Sequence, residues 1–242
     1  MNFSINKLPP TGKNYLKAHL INCNEFNINT ISAISNDSKC NCTYISSVQQ
    51  VKYLGITIDA NLKWQNHIIN TTRKLRLLFY KFKTISNILS PITMRMVFIA
   101  MAQSIYSYGI GSWGGAYNIH LISLETTINS LIKISFKKPY RMSTVLLYKE
   151  CNLLNLNQLY ARHILSNMFF LDVQKFKFKH NHCTRAKQTN MYLIPKCRTE
   201  FGKRNPLNAG IKMAMELNID VGLFRIFRFY KKMINEKIKF LT

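Results

Sequence analysis

Val51-Lys52-Tyr53-Leu54-Gly55-Ile56-Thr57-Ile58-Asp59-Ala60-Asn61-Leu62-Lys63-Trp64 divides this 242-residue chain into two kinds of sequence. Val51, Tyr53, Ile56 and Ile58 are strand formers, and Gly55 interrupts them as a glycine does where a strand bends or another backbone comes close. Asp59-Ala60-Asn61 has turn composition, and Trp64 opens the helical part of the chain. Upstream the chain is short-patterned and polar. Downstream it is a series of long, basic, amphipathic stretches.

Working outward toward the N-terminus, Pro9-Pro10-Thr11-Gly12 is a turn, and Asn36 to Asn41 is a loop. Tyr15 to Leu20 and Phe26 to Ile34 are expected as strands paired across 22–25, and Tyr44-Ile45 with Val51 to Ile58 as a second hairpin. The expected class is therefore α+β and mostly α: a small N-terminal antiparallel sheet, a basic helical bundle and a C-terminal helix.

Toward the C-terminus, Trp64 to Ile88 is expected as one helix. Ile68, Thr72, Leu75, Phe79 and Phe82 step by four and three, which is a core-facing stripe. Arg73, Lys74, Arg76, Lys81 and Lys83 fall on the other side with no Asp or Glu among them. Such a face is either merely solvated or tracks phosphates. Ser90-Pro91 starts the next helix, Ser as cap and Pro in the first turn. That helix is expected to run to about Tyr108, buried on most sides, and to end in Gly109-Ile110-Gly111-Ser112-Trp113-Gly114-Gly115, where glycines stop it and let backbone approach closely. Trp113 is either a packing anchor under a turn or a stacking platform.

His120 to Phe136 forms a further helix, with Leu121, Leu124, Ile128, Leu131, Ile132 and Ser135 near one face. It is expected to be halted by proline in Lys137-Lys138-Pro139-Tyr140-Arg141, a loop that offers Lys137, Lys138 and Arg141 as phosphate contacts. Ser143-Thr144 then caps a short helix through Glu150, and an amphipathic helix over 156–170 uses Leu156, Leu159, Tyr160, His163, Ile164 and Phe170. Composition shifts near 175–180. Tyr192 to Asn208 reads as irregular or short-strand structure. Leu223, Phe227, Tyr230, Ile234, Ile238 and Leu241 mark a closing helix surrounded by Arg225, Arg228, Lys231, Lys232 and Lys239.

The formal charge is +24, from 34 Lys plus Arg against 10 Asp plus Glu. Such self-repulsion favours a polyanionic partner, nucleic acid first and an anionic membrane surface second; the alternative is a basic protein with no specific partner. Hydrophobic residues make up 47%, which argues against a disordered chain. The six cysteines are not spaced as a secreted disulfide scaffold, and Met1 is followed by no signal-peptide pattern. The most apolar stretch, 97–110, is too short to span a bilayer. An intracellular setting, nuclear or cytoplasmic and not secreted, is expected.

Catalytic chemistry is poorly supported. The acids are Glu25, Asp37, Asp59, Glu125, Glu150, Asp172, Glu200, Glu216, Asp220 and Glu236. No two are adjacent, and the closest pair, Glu216 and Asp220, is expected one helical turn apart, whereas phosphoryl transfer on two cations needs gathered carboxylates. Asp59, at a strand end, is read as turn chemistry. Cys40-Asn41-Cys42 and His180-Asn181-His182-Cys183 do not match finger or knuckle spacing, so no metal is expected. There is no phosphate-binding glycine loop, nucleophile elbow or HExxH sequence.

The ordered series of blocks is more specific. Val51 to Asp59, Leu62-Lys63-Trp64 and His67-Ile68 resemble the segment after the catalytic core in reverse transcriptases of non-LTR, LINE-type, jockey-like retrotransposons. So do Tyr108-Gly109-Ile110 with Trp113-Gly114, Lys138-Pro139-Tyr140-Arg141 with Thr144, Leu156 with Gln158-Leu159-Tyr160, and His180-Asn181-His182 with Thr184-Arg185, in the same order. The resemblance runs from about residue 45 to the end.

It implies a palm end over 1–64, in which Tyr53, Leu54 and Gly55 form a primer-grip hairpin. It implies a helical thumb over 65–175 and a basic tail over 176–242. A lysine expected upstream of the grip falls on Lys13, where a Pro and Gly insertion departs from the family pattern. The family's paired catalytic aspartates lie upstream of the grip and have no counterpart here. The resemblance therefore implies a truncated RNA-directed DNA polymerase that binds an RNA and DNA template–primer duplex but does not polymerise. Its partners would be that duplex and the upstream polymerase part, with no membrane, and Mg2+ would belong only to an intact polymerase. The alternative is a non-enzymatic basic helical protein that binds nucleic acid or serves assembly.

Overall fold

A computed structural model describes the backbone of residues 15–17 and 44–46, and residues 48–171, 192, 196–220 and 226–240. The chain divides into two compact units, Met1–Leu62 and Lys63–Thr242. The class is α+β and mostly α, as expected.

In the first unit, β1 (Tyr15–Lys17) pairs antiparallel with β2 (Tyr44–Ser46), Leu16 opposite Ile45. This differs from the expected pairing of Tyr15–Leu20 with a strand over 26–34, which lies outside the described residues, as does Lys13. It also removes Tyr44-Ile45 from the second hairpin. That hairpin is closed locally by β3 (Gln50–Tyr53) and β4 (Ile56–Asp59), with Val51 opposite Ile58 and Tyr53 opposite Ile56. The two-residue loop Leu54-Gly55 has positive φ at both positions, 45° and 81°. That is the type I′ pattern whose twist suits a tight hairpin. Gly55 is thus the second loop residue, not a bend within a strand. The Leu62 N–H donates to the Asp59 carbonyl at 2.9 Å, closing the turn expected there.

The second unit begins with α1 (Gln65–Arg76) and α2 (Phe79–Ile85). The single helix expected over 64–88 is broken because the Leu78 N–H bonds to the Leu75 carbonyl, three residues back, at 3.0 Å. Three-residue bonds likewise end α2: Ile88 bonds to Ile85 and not to a residue four back. The core stripe survives the break, with Ile68, Thr72, Leu75 and Phe82 buried and Phe79 half-buried.

Ser90 caps α3 (Pro91–Phe98), its Oγ accepting from the Thr93 N–H, with Pro91 in the first turn. The helix continues through a π-helical turn over 99–103 into α4 (Ser104–Ser107). It is one-sided, not buried on most sides: Met94, Phe98, Ala102 and Tyr106 are buried, while Ile92, Met96 and Tyr108 are exposed. A strict step of four overshoots a 3.6-residue turn, and the wider π turn in mid-helix keeps that row on one face.

Gly109, at φ 62°, lets the chain reverse into α5 (Ile110–Trp113). The long α6 (Asn118–Ser135) buries the expected face, with Thr127 added to it. It stops before Pro139. Lys137 takes a left-handed conformation, φ 50°, and the Lys138 N–H reaches the Lys133 carbonyl at 2.9 Å. This is a Schellman closure made without glycine.

Next come α7 (Thr144–Cys151), where Ser143 holds the cap position without a side-chain cap bond, and α8 (Leu156–Met168). Asn155 and Gln158 form a capping box on α8, a signature readable at that spacing. His163 on α8 and Phe170 beyond its end are exposed, and Ala161, Leu165 and Met168 are buried in addition to the expected residues. Four of the six expected residues are buried, and the expectation lacked a second side, because α8 is buried on two. Leu156, Leu159, Tyr160 and Ile164 join the core of α1 to α7, while Ala161, Leu165 and Met168 join a second core.

That second core is completed by Tyr192, α10 (Pro206–Glu216) and α11 (Phe227–Lys237), with a 3-10 turn over 238–240, while the short α9 (Glu200–Lys203) ahead of α10 buries no residue in it. The irregular structure expected over 192–208 is corrected where it is described. Thr199 caps α9, and Asn205 caps α10 with Pro206 as its first residue, so this proline starts a helix. Glu216 ends α10 and Asp220 lies beyond it, so the two are not one turn apart on one helix; Asp220 accepts instead from the Tyr192 hydroxyl at 2.8 Å. The boundary near 175–180, both cysteine clusters, Leu223, Arg225 and Leu241 lie outside the described residues.

Candidate nucleic-acid interface

The hairpin presents two different faces. Opposite residues share a face, so Val51, Tyr53, Ile56 and Ile58 lie on one, and Gln50, Lys52, Thr57 and Asp59 on the other. Tyr53, Leu54 and Gly55 stand exposed at its tip. A leucine in a left-handed loop position, 71% exposed, contributes no burial to the fold.

In the second unit, Arg73, Lys74, Arg76, Lys81 and Lys83 are all exposed. Among the described residues none of the five forms an ion pair, and the span 65–88 contains no acid to offer one. The structure adds two apolar residues to this face: Leu77 and Tyr80, the latter 79% exposed. The signal was in the sequence, since Tyr80 lies off the Leu75–Phe79–Phe82 stripe. An aromatic ring among unpaired cations can meet both a phosphate backbone and a base or sugar.

The loop after α6 belongs to the same neighbourhood. Phe82 on α2 lies 5.7 Å from Phe98, and Phe98 lies 6.1 Å from Phe136, ring centre to ring centre. The basic part of α2 and the 137–141 loop therefore flank one aromatic run. Within the loop the cations differ. Lys137 and Arg141 are exposed. Lys138 is engaged by Glu150, Nζ to Oε2 2.6 Å, and that bond raises the pKa of its ammonium. Lys133 donates to the Tyr140 carbonyl at 2.7 Å and lies 5.6 Å from the centre of the Tyr140 ring, which is 87% exposed. Of the loop's expected contacts, Lys137 and Arg141 form no ion pair or side-chain hydrogen bond among the described residues, and Tyr140 joins them.

Trp113 is the packing anchor of the two readings. It is 0% exposed, its Nε1–H donates to the Tyr108 carbonyl at 2.9 Å, and its ring centre is 5.6 Å from that of His67. The glycines around it let α8 approach: a Cβ on Gly111 would fall 2.5 Å from the His163 ring.

Burial, and secondarily the charge of Lys74, lowers the pKa of His67 below its ordinary 6.5. The unfolded chain therefore binds the extra proton more readily. The stability held by neutral His67 is complete above about pH 6.5 and is lost as pH falls through the lower folded-state value. Thermal midpoints should fall between pH 7 and the acid side of 6, and His67→Gln should flatten that slope. An unchanged slope would refute the assignment.

Among the described residues no three His, Cys, Asp or Glu come together as metal ligands. No described helix is long and apolar enough to cross a membrane.

Over 141 residues, 57% of its length, the chain is 26% identical to a Drosophila melanogaster protein described as "Probable RNA-directed DNA polymerase from transposon BS". The match spans 16% of the fly protein. No protein-family model matches, and no solved structure matches. The chain is thus related in sequence to a transposon polymerase, in agreement with the resemblance carried by its ordered blocks.

Proposed function

We propose that this chain is the post-catalytic part of a retrotransposon RNA-directed DNA polymerase and holds a template–primer duplex of RNA and DNA. Tyr53, Leu54 and Gly55 contact the primer end. Arg73, Lys74, Arg76, Lys81 and Lys83, with Lys137, Lys138 and Arg141, contact the sugar–phosphate backbone. Lys138 does so only by sharing its ammonium with Glu150. The observation that carries the reading is the exposed, acid-free face of α1 and α2, whose five cations make no ion pair among the described residues.

The same reading holds that these 242 residues do not polymerise by themselves, because ten acids with no adjacent pair supply no gathered carboxylates. Primer extension with Mg2+ should give no incorporation. Metal-dependent nucleotide addition would overturn that half of the proposal. The binding half predicts a steep salt response: each phosphate neutralised adds about −0.9 to the slope of log K against log salt, so the eight cations give roughly −7, of which the five on α1 and α2 supply roughly −4 to −5. Fluorescence anisotropy on a labelled hybrid duplex measures it, and a flat response would remove the binding claim.

A further inference from the structure

We propose that the outer face of α11 is a second nucleic-acid contact, separate from α1 and α2, and that it takes a single strand. Arg228, Lys232 and Lys239 meet the phosphates, and Phe229 stacks on a base.

The helix is laid out for this. Positions 228, 232, 235 and 239 step by four, three and four, which makes one exposed row of three cations and the Asn235 amide. An open groove of about 620 Å³ runs along the row. Eleven residues rise about 16 Å, the length of roughly five stacked nucleotides. Phe229 stands beside the row, 61% exposed. Glu236 is the one acid along it, against Arg228, Lys231, Lys232 and Lys239.

The chemistry of these cations is uncommitted. Lys237, on the same helix, donates at 2.7 Å to both the Leu217 and Asn218 carbonyls and so caps α10. Lys231 lies 6.0 Å from the centre of the Phe227 ring. Among the described residues Arg228, Lys232 and Lys239 make no ion pair and no side-chain hydrogen bond. Three exposed positive charges on a helix held rigidly from behind keep their full attraction for an anion.

The opposite face excludes the main competitor. A basic helix that binds anionic lipid does so by sinking a free apolar face into the bilayer. Here that face is spent: Tyr230, Ile234 and Ile238 are fully buried in the second core, and the Tyr230 hydroxyl donates to the Leu165 carbonyl at 2.8 Å. What remains outside along the row is charge plus the Phe229 ring. In a duplex the bases are already stacked and only phosphates are offered. An exposed phenylalanine beside cations gains affinity only where bases are unstacked, that is, on a single strand.

The test uses the whole chain and a labelled, unstructured oligonucleotide in fluorescence anisotropy. Arg228→Gln, Lys232→Gln and Lys239→Gln together should reduce the salt slope for single-strand binding by about 2, at roughly −0.7 per phosphate on a single strand. Phe229→Ala should weaken single-strand binding about tenfold and leave hybrid-duplex binding unchanged. All four residues are exposed, so circular dichroism and thermal midpoints should match the parent chain.

Photocrosslinking of a thiouridine-bearing strand to the unmodified chain gives a readout that needs no variant, with the label expected on the peptide containing Phe229. Unchanged single-strand binding in the triple variant, crosslinks confined to 65–85, or phosphatidylserine vesicles bound through these three cations would each overturn the proposal. A variant lacking the five cations of α1 and α2 separates the two sites. It should lose duplex binding whether or not the α11 contact exists.

Discussion

Trp113→Ala is expected to lower the unfolding free energy by about 3–5 kcal/mol, the range for emptying a buried aromatic site. The indole is fully buried, and its neighbours belong to several elements: His67 on α1, Ile110 on α5 and the Tyr108 carbonyl that its Nε1–H contacts. Collapse around the void would require those elements to move together, which places the cost toward the upper end. The measurement is urea unfolding of the purified chain. A lowered midpoint with an unchanged m value reports lost stability. A midpoint within error of the parent would mean that Trp113 is free in solution and would restore the stacking reading.

Gly114→Ala is expected to cost at least about 1–3 kcal/mol, as overpacking of a tight contact does. A Cβ there would collide with the Tyr160 ring and fall 2.6 Å from the Ile110 carbonyl oxygen. The ring can turn, but the carbonyl belongs to the backbone of α5 and cannot move without unwinding it. Tyr160→Phe serves as the contrast. Among the described residues the Tyr160 hydroxyl is buried without a hydrogen-bond partner, so its removal should be near neutral. Both variants are read in the same urea titration. A silent Gly114→Ala would show that the Ile110 carbonyl does not lie as close to position 114 as the structure places it.

Much of the helical framework was legible because its signals are local. Ser90-Pro91 announces α3, and the stripe of Leu121, Leu124, Ile128, Leu131 and Ile132 announces α6, since capping and periodicity involve residues within a turn or two of each other. The errors share a cause. The stretch 192–208 read as irregular because a proline such as Pro206 starts a helix only where the chain before it enters at the right angle, here with Asn205 accepting from the Leu207 N–H. The break between α1 and α2 leaves no mark in composition, only a change in hydrogen-bond spacing at Leu78. α8 misled because a helix between two cores has two buried sides, and a single-stripe reading recovers only one. The described partner of β1 lies some thirty residues away, a separation no local pattern encodes, and the nearer stretch over 26–34 lies outside the described residues.

The candidate interface divides in the same way. Sequence by itself determined the charge, the acid-free run through α1 and α2, the hairpin, and the order of blocks shared with transposon polymerases. Only the tertiary structure decided which of these groups are available. Lys138 and Glu150 are twelve positions apart, and Lys237 is twenty from Leu217. Whether such a pair meets depends on how α7, α10 and α11 pack, which no local pattern encodes. Among the described residues, Arg73, Lys74, Arg76, Lys81 and Lys83 keep their charges free, and so do Arg228, Lys232 and Lys239, because packing brings no described carboxylate against them. The 34 cations confer a general attraction for polyanions, and the fold selects the few that can exert it.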